Sequence, residues 1–406
     1  MHNTIIPHSS FLIQKGGLMK RYALHKFTFV VFRYTAAPVI RWIMRYKCDK
    51  LKGPDAPSLI ISNHNTNIDP VLVASGFSRH MYFLASEHTL RKGLVSKLLG
   101  FFLDPIPINK SRTDTFAIKE MLRRIKAGAN VCLFAEGDRS FNGMTGPISL
   151  STAKLAKMSG ADLITFRFEG GYFTAPRWAK RQRYGKMTGR CVGRYTSAEL
   201  KTMTTQQILG IIERDIYEDA YERQKMNLTR FKGKSLAENI ETVLYVCPAC
   251  EKIGSIRSEG ERFFCSCGLE ATYGETGLLS GEGLQFSTIT EWDNWQSEKL
   301  EDIVNRSENS PICSDEEQML FSVHAAVSGE PEGKGPMSID RETFRCAGQT
   351  FPLEQITRFA VVGQMTLLFA LKGGGSYEVH SNTPRSALKY REIFRILKGA
   401  GAQETN

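Results

Sequence analysis

SLIISNHNTNIDPVLVA, residues 58–74, is the stretch on which the fold turns. Ser58 to Ile61 is a short apolar run and predicts a buried strand, and Asn63 to Pro70 predicts the loop that leaves it. Loops at strand ends are where α/β proteins place reactive groups. Four residues separate His64 from Asp69, and Pro70 fixes the chain just after the carboxylate. A turn at Asn65-Thr66-Asn67 would return the Asp69 carboxylate to an imidazole nitrogen. His64 would then be a general base, with Asp69 setting its tautomer and stabilising the imidazolium that forms. Such a base contributes on the order of 10²–10⁴ in rate. An isolated pair of this kind is weak evidence, because a chain with eight histidines will often carry a suitably spaced Asp by chance.

A second segment gives the pair its meaning. Thr113 to Lys126 predicts a helix, with Phe116, Met121, Leu122 and Ile125 apolar and Gly128 after its end. NVCLFAEGDRSFNG follows, residues 130–143. Val131 to Phe134 reads as a buried strand that breaks into Glu136-Gly137-Asp138-Arg139-Ser140. Gly137 permits a tight turn, and Arg139 offers a planar fork of donors suited to phosphate. Each of the two strand exits places polar groups at the edge of a sheet.

Together, NHNTNID and FAEGDRS resemble the signature pair of the glycerolipid acyltransferases, particularly the 1-acylglycerol-3-phosphate acyltransferases. That pattern is Asn-His, four residues and Asp, followed later by Phe-Pro-Glu-Gly-x-Arg-Ser. Asn63, His64 and Asp69 match the first part. Phe134, Glu136, Gly137, Arg139 and Ser140 match the second, with Ala135 in place of the usual proline. The resemblance covers roughly residues 20 to 235. It departs in two places. GFFLDPIPINKSR puts Lys110 where the family has an arginine, with Arg112 close by, and Lys lacks the bidentate fork. The family's proline-containing apolar strand appears as DLITFRFEGG, with Thr165 at that position.

The resemblance implies an α/β fold: a mixed-sheet acyltransferase domain that moves a fatty acyl group from a thioester to the free hydroxyl of a lysophospholipid. Lysophosphatidate giving phosphatidate is the expected reaction, and acyl-coenzyme A or acyl-carrier protein the donor. His64 and Asp69 would be catalytic. Asn63, Lys110, Arg112, Glu136, Gly137, Arg139 and Ser140 would bind substrate, with Glu136 orienting Arg139 or the glycerol. No catalytic cofactor is expected.

Composition agrees with a peripheral enzyme. The 406 residues carry 53 Lys+Arg against 42 Asp+Glu, a formal charge of +11, and mean hydropathy is -0.25. That surplus suits anionic lipid headgroups, nucleic acid or acidic substrates such as acyl-coenzyme A, and charge alone does not choose among them. Ten of the cations lie in the first 55 residues. Residues 23–45 are rich in aromatic and branched side chains, but Arg33 and Arg41 interrupt them and Pro38 is expected to kink the helix. On a helix, Lys26, Arg33, Arg41 and Arg45 share a side, which predicts an amphipathic helix lying in a membrane interface. Residues 1–50 thus read as a leader, ending before Met19, plus this helix. With no secretory signal and scattered cysteines, the expected location is the cytoplasmic face of a membrane, peripheral or monotopic.

Residues 51–236 form the expected acyltransferase domain. Within it, PRWAKRQRYGKMTGRCVGR (176–194) predicts a basic hairpin or paired short strands at the surface, and Thr204 to Gln224 a helix. CPAC and CSCG then bring Cys247, Cys250, Cys265 and Cys267 into a zinc ribbon over 240–280, a structural site with four protein ligands. Residues 281–316 read as linker and helix. Residues 317–400 alternate apolar and polar in short runs before a helix from Ser386 to Leu397, which predicts a small β-rich domain closed by a helix and loosely resembling pleckstrin-homology modules. Ser307 to Asp315 and GEPEGKG read as loops. The competing function is a zinc-ribbon regulatory protein at a membrane or on nucleic acid, but the basic excess lies away from the cysteines, which argues against nucleic acid. A hydrolase using His64 and Asp69 as metal ligands lacks a third ligand nearby.

Overall fold

A computed structural model of the chain describes residues 15–49, 51, 57–86, 104–108, 115–308, 310–323 and 330–399, with side chains from residue 22 onward except at Ser86. Helices α1 (Lys15–Tyr34) and α2 (Ala36–Ile43) come first, then β1 (Tyr46–Cys48), β2 (Ser58–Ser62), α3 (Asp69–Gly76), β3 (Met81–Ser86), β4 (Ile106–Ile108), α4 (Thr115–Lys126), β5 (Asn130–Phe134), α5 (Leu150–Ser159), β6 (Asp162–Glu169), α6 (Gly171–Thr174) and β7 (Met187–Tyr195). They build a seven-stranded mixed sheet of order β1-β7-β6-β2-β5-β3-β4. Every residue of β2 is buried, and it pairs in parallel with both β5 and β6, Ile60 lying opposite Cys132 and Ile164.

Side-chain alternation along those strands feeds two cores. Leu59, Ile61, Val131, Leu133 and Leu163 face α4, α5 and α8 (Thr205–Ile216), whereas Ile60, Cys132 and Ile164 face α3 and Met44. Helices thus cover both faces, which is why the central strand reads as an unbroken apolar run. Parallel pairing has a second consequence. β2 and β5 run the same way, so their following loops emerge at the same edge of the sheet.

The entry segment differs from its expected form. α1 begins at Lys15, ahead of Met19, and the break falls at Thr35. Pro38 lies in the first turn of α2, where its missing N–H costs no intrahelical bond. Arg41 turns inward, donating to the Cys48 carbonyl at 3.1 Å, so the cations do not form one solvent-facing stripe. Outward instead stand Phe27, Tyr34 and Trp42, 65%, 76% and 80% exposed, with Leu24, Val30, Val31, Val39 and Ile43. No helix among the described residues is long and apolar enough to cross a membrane.

Residues 176–194 are not a self-contained hairpin: β7 pairs antiparallel with β6 and parallel with β1. The single helix expected over 204–224 is two, α8 and, after α7 (Ser197–Thr202), α9 (Ala220–Met226), with capping boxes on α7 and α8. Beyond them, β8 (Ile256–Glu259), β9 (Arg262–Cys265), β10 (Glu270–Tyr273) and β11 (Leu279–Ser280) make a four-stranded antiparallel sheet. α10 (Ile289–Arg306) follows, the helix expected within 281–316, and one face of it buries Ile289, Trp292, Leu300 and Val304 in the core.

The last sheet contains β12 (Cys313–Ser322), β13 (Gly333–Ile339), β14 (Thr343–Cys346), β15 (Gln349–Pro352), β16 (Ile356–Val362), β17 (Thr366–Leu371) and β18 (Ser376–Ser381), in the order β15-β14-β13-β12-β18-β17-β16. Helix α11 (Ala387–Lys398) closes it. β12 starts at Cys313 and β13 at Gly333, so part of each expected loop is strand. One hydrophobic core runs from Tyr172 and Phe173 through the four-stranded sheet and α10 into this last sheet.

Close packing at Gly189 gives a test. A Cβ there would lie 2.0 Å from Tyr46 Oη and 2.8 Å from the Phe166 ring. Gly189→Ala should destabilise the chain by about 1–3 kcal/mol, read as a lowered midpoint in thermal or urea unfolding. An unchanged midpoint would contradict the β1–β7–β6 packing.

Candidate active site

His64 follows β2 directly, and Asp69 opens α3. The turn between them returns the carboxylate to the ring: Asp69 Oδ2 accepts from His64 Nδ1 at 2.9 Å, from Asn65 N at 2.6 Å and from Thr66 N at 2.8 Å. Its Oδ1 accepts from Thr66 Oγ1 at 2.5 Å. These donors compensate a carboxylate that is fully buried. Since Asp69 accepts at Nδ1, the network assigns the proton to that nitrogen and leaves the lone pair on Nε2. The ring stacks on Phe134, centroids 4.3 Å apart, and the His64 side chain keeps 21% of its surface open. Buried carboxylate, oriented ring and a side chain that keeps part of its surface open are the geometry general-base chemistry requires.

The loop after β5 is stitched to this one through the backbone. Glu136 Oε1 accepts from His64 N at 2.7 Å and Oε2 from Gly146 N at 2.8 Å, while Ser140 N donates to the His64 carbonyl at 3.1 Å. Gly137 makes the turn with φ of 68°. Glu136 therefore spends both oxygens on the protein's own backbone rather than on Arg139. Burial outweighs these two donors and pushes its carboxyl up to about 8. Ser140 likewise faces inward, donating to the Met144 carbonyl at 2.7 Å and accepting from Gly143 N at 2.9 Å.

Arg139 is different. Its Nη1 reaches only the Ala175 carbonyl, at 3.5 Å, and it has no carboxylate within 4.0 Å among the described residues. Burial and then the nearby Arg177 cation lower it to about 10. A recessed guanidinium with no carboxylate in contact among the described residues has donors that suit an anion. Lys110 and Arg112 lie outside the described residues.

Asn63 is structural in its contacts. Its side chain accepts from Phe168 N at 2.8 Å and donates to the Phe168 carbonyl at 3.0 Å, locking the end of β2 to β6. Beneath it lies Glu218, which sequence reasoning missed. Glu218 accepts from Asn65 Nδ2 at 3.2 Å, Gly170 N at 3.0 Å and Arg223 Nε at 3.1 Å, and burial raises it to about 7. Standing 154 residues beyond His64, in a charged stretch with no motif, it left no sequence signal.

Far along the chain, Cys247, Cys250, Cys265 and Cys267 place their sulfurs within 4.8 Å of one another, Cys247–Cys267 and Cys250–Cys265 each at 3.7 Å. A metal about 2.3 Å from four thiolates sets tetrahedral sulfur–sulfur edges of about 3.8 Å. The donor set therefore fits a metal ion. The short Cys-x-Cys spacing works because Gly268, at φ of 101°, donates its N–H to the Cys265 carbonyl at 3.0 Å.

Over residues 41–169 the sequence matches the family described as Acyltransferase. Among solved structures, the chain is similar to the 1-acyl-sn-glycerophosphate (LPA) acyltransferase PlsC from Thermotoga maritima: 16% identity, a TM-score of 0.41, 52% of this chain and 85% of that chain covered.

The raised carboxyl of Glu136 has a pH signature. Folding raises its pKa from about 4.5 to about 8, so the folded chain holds the proton more tightly. The stability this contributes is complete below about pH 4.5 and lost as pH rises through about 8. Thermal midpoints of the wild type should fall more steeply than those of Glu136→Gln across that window. Parallel profiles would contradict the assignment.

Proposed function

We propose, from the match of residues 41–169 to the family described as Acyltransferase, that this protein transfers a fatty acyl group from an acyl thioester to the free hydroxyl of a lysophospholipid, with lysophosphatidate as acceptor. The observation that carries the reading is the oriented His64, whose Nδ1 is held by buried Asp69 while the ring stays accessible. His64 Nε2 takes the proton of the acceptor hydroxyl as its oxygen bonds to the thioester carbonyl carbon. The tetrahedral intermediate collapses, the carbon–sulfur bond breaks, and the thiolate leaves with its electron pair, taking up the proton that the imidazolium releases to restore neutral His64. Asp69 stabilises the imidazolium in between. Arg139, with no carboxylate within 4.0 Å among the described residues, takes the phosphate of the acceptor. Glu136, Ser140, Asn63 and Glu218 hold the loops that carry these two groups. Acyl-coenzyme A and acyl-carrier protein are both donors of the required chemistry.

The same reading places the enzyme on an anionic membrane surface, at its cytoplasmic face. The exposed apolar side chains of α1 and α2 support this, since Phe27, Tyr34 and Trp42 would enter the acyl boundary while nearby cations meet phosphates. In the ribbon, Cys247, Cys250, Cys265 and Cys267 would hold a structural zinc, which cross-links two loops and leaves no position for substrate. The C-terminal antiparallel sheet closed by α11 supports a pleckstrin-homology-like docking module.

Offered a panel of lysolipids with both donor types, the purified chain should make diacyl product from lysophosphatidate. His64→Ala should lower kcat by at least about 10²-fold with lysolipid binding largely intact. Arg139→Ala should raise KM for lysophosphatidate roughly tenfold and spare a phosphate-free acceptor. Residual turnover near wild type in the first variant, or equal loss on both acceptors in the second, would refute those roles. Metal analysis should find one zinc per chain, and its removal should lower the melting midpoint; metal-free protein that melts unchanged would exclude the structural ion.

A further inference from the structure

Position 138 is the open place in the Glu-Gly-x-Arg pattern, and here it is aspartate, next in the chain to Arg139. A carboxylate so close is the natural competitor for the neighbouring guanidinium, yet it is turned elsewhere. Asp138 Oδ1 lies 3.1 Å from Arg177 Nη1, and Oδ2 lies 4.0 Å from Arg391 Nη1. Arg177 is only 2% exposed and is itself anchored in the C-terminal sheet. Its Nε donates to the Gly363 carbonyl at 2.9 Å, in the turn joining β16 to β17, and its Nη2 to the Val361 carbonyl at 2.7 Å, near the end of β16. Its Nη1 also donates to the Arg139 carbonyl at 3.3 Å. Arg391 belongs to α11 and pairs with Glu392 at 2.6 Å. Phe141, two residues past Arg139, receives both cations on its ring, Arg177 at 3.9 Å and Arg391 at 5.3 Å. The C-terminal sheet and helix thus grip the loop on each side of Arg139 and take up the one carboxylate adjoining it.

We propose that Arg177 and Arg391 are positioning residues for the acceptor site: by holding Asp138, the C-terminal module keeps the Arg139 guanidinium free for an anionic headgroup. The inference rests on the reading of Arg139 as the phosphate-binding residue. It gives the C-terminal module a task inside the transferase reaction as well as outside it. With either clamp weakened, Asp138 would swing to Arg139 and compete with the phosphate of the substrate. The lowered pKa of Arg139, caused by burial and then by Arg177, agrees with a cation that has no carboxylate within 4.0 Å among the described residues.

The test compares wild type, Arg391→Met, Asp138→Asn, the double variant and Arg139→Ala, all full length, on lysophosphatidate and on phosphate-free 1-acylglycerol. Arg391 is partly exposed, so its variant should fold, as checked by its melt. Arg391→Met should raise KM for lysophosphatidate about fivefold, with kcat held within about twofold and 1-acylglycerol unaffected. Adding Asp138→Asn should return KM close to wild type, because the competitor is gone; by itself Asp138→Asn should not raise KM. The same ranking is expected in equilibrium binding of lysophosphatidate in detergent micelles. An unchanged KM in Arg391→Met, a failure of the second substitution to rescue it, or a raised KM in Asp138→Asn alone would each overturn the proposal. If Arg139→Ala does not discriminate between the acceptors, the phosphate-binding reading itself fails, which is a separate result.

Discussion

One carboxylate joins the two halves of the candidate site. Glu136 accepts from the backbone of His64 with one oxygen and from Gly146 with the other, while Ser140 returns a bond to the His64 carbonyl. The imidazole is thereby fixed from both ends: its ring by Asp69 and its backbone by Glu136. Positioning of this kind bears on the proposed base role, because misplacing a reacting group by about 1 Å can cost on the order of 10²-fold in rate. Keeping Glu136 recessed has an electrostatic cost, visible in its raised pKa, and the bridging bonds offset it.

Sheet topology makes that bridge available. β2 and β5 are adjacent and parallel, so the residues after Ser62 and after Phe134 start side by side; Ala135 N still donates to the Ser62 carbonyl at 3.2 Å. A third parallel neighbour, β6, supplies the Phe168 backbone for Asn63 and leads to Gly170, which Glu218 captures. The catalytic-type pair thus rests on a floor built from three strands and the start of α9. Most motif residues other than His64, Asp69 and Arg139 turn out to hold this floor, so their recurrence in the signature has a mechanical reason as much as a chemical one.

The C-terminal half is less separable than a string of modules would suggest. Trp292 donates to the Val246 carbonyl at 3.0 Å, and Gln296 accepts from Tyr245 N at 3.0 Å, so α10 is bonded directly to the segment entering the cysteine cluster. Asn142, at the end of the Arg139 loop, donates to Asp293 at 2.9 Å and accepts through its carbonyl from Thr290 at 2.8 Å. A shared core runs beneath these bonds. Forces on the ribbon or the final sheet therefore have a short mechanical route to the loop that carries Arg139.

What the sequence determined by itself was local. The apolar run 58–61, the His64–Asp69 spacing, the turn at Gly137 and the four cysteines each depend on neighbours a few residues away, and the structure places each as a strand, a hydrogen-bonded pair, a left-handed turn and a sulfur cluster. Periodicity also showed the alternating strands and closing helix of the C-terminus. Tertiary structure decided the rest. It alone showed that Asn63, Glu136 and Ser140 point into the protein, and that α1 and α2 break at Thr35. It brought Glu218 beneath the His64 loop and Arg391 beside Asp138, residues 155 and 253 positions from their partners. A side chain's hydrogen-bond partner across such a span depends on how sheets and helices pack together. No local pattern of residue types encodes that.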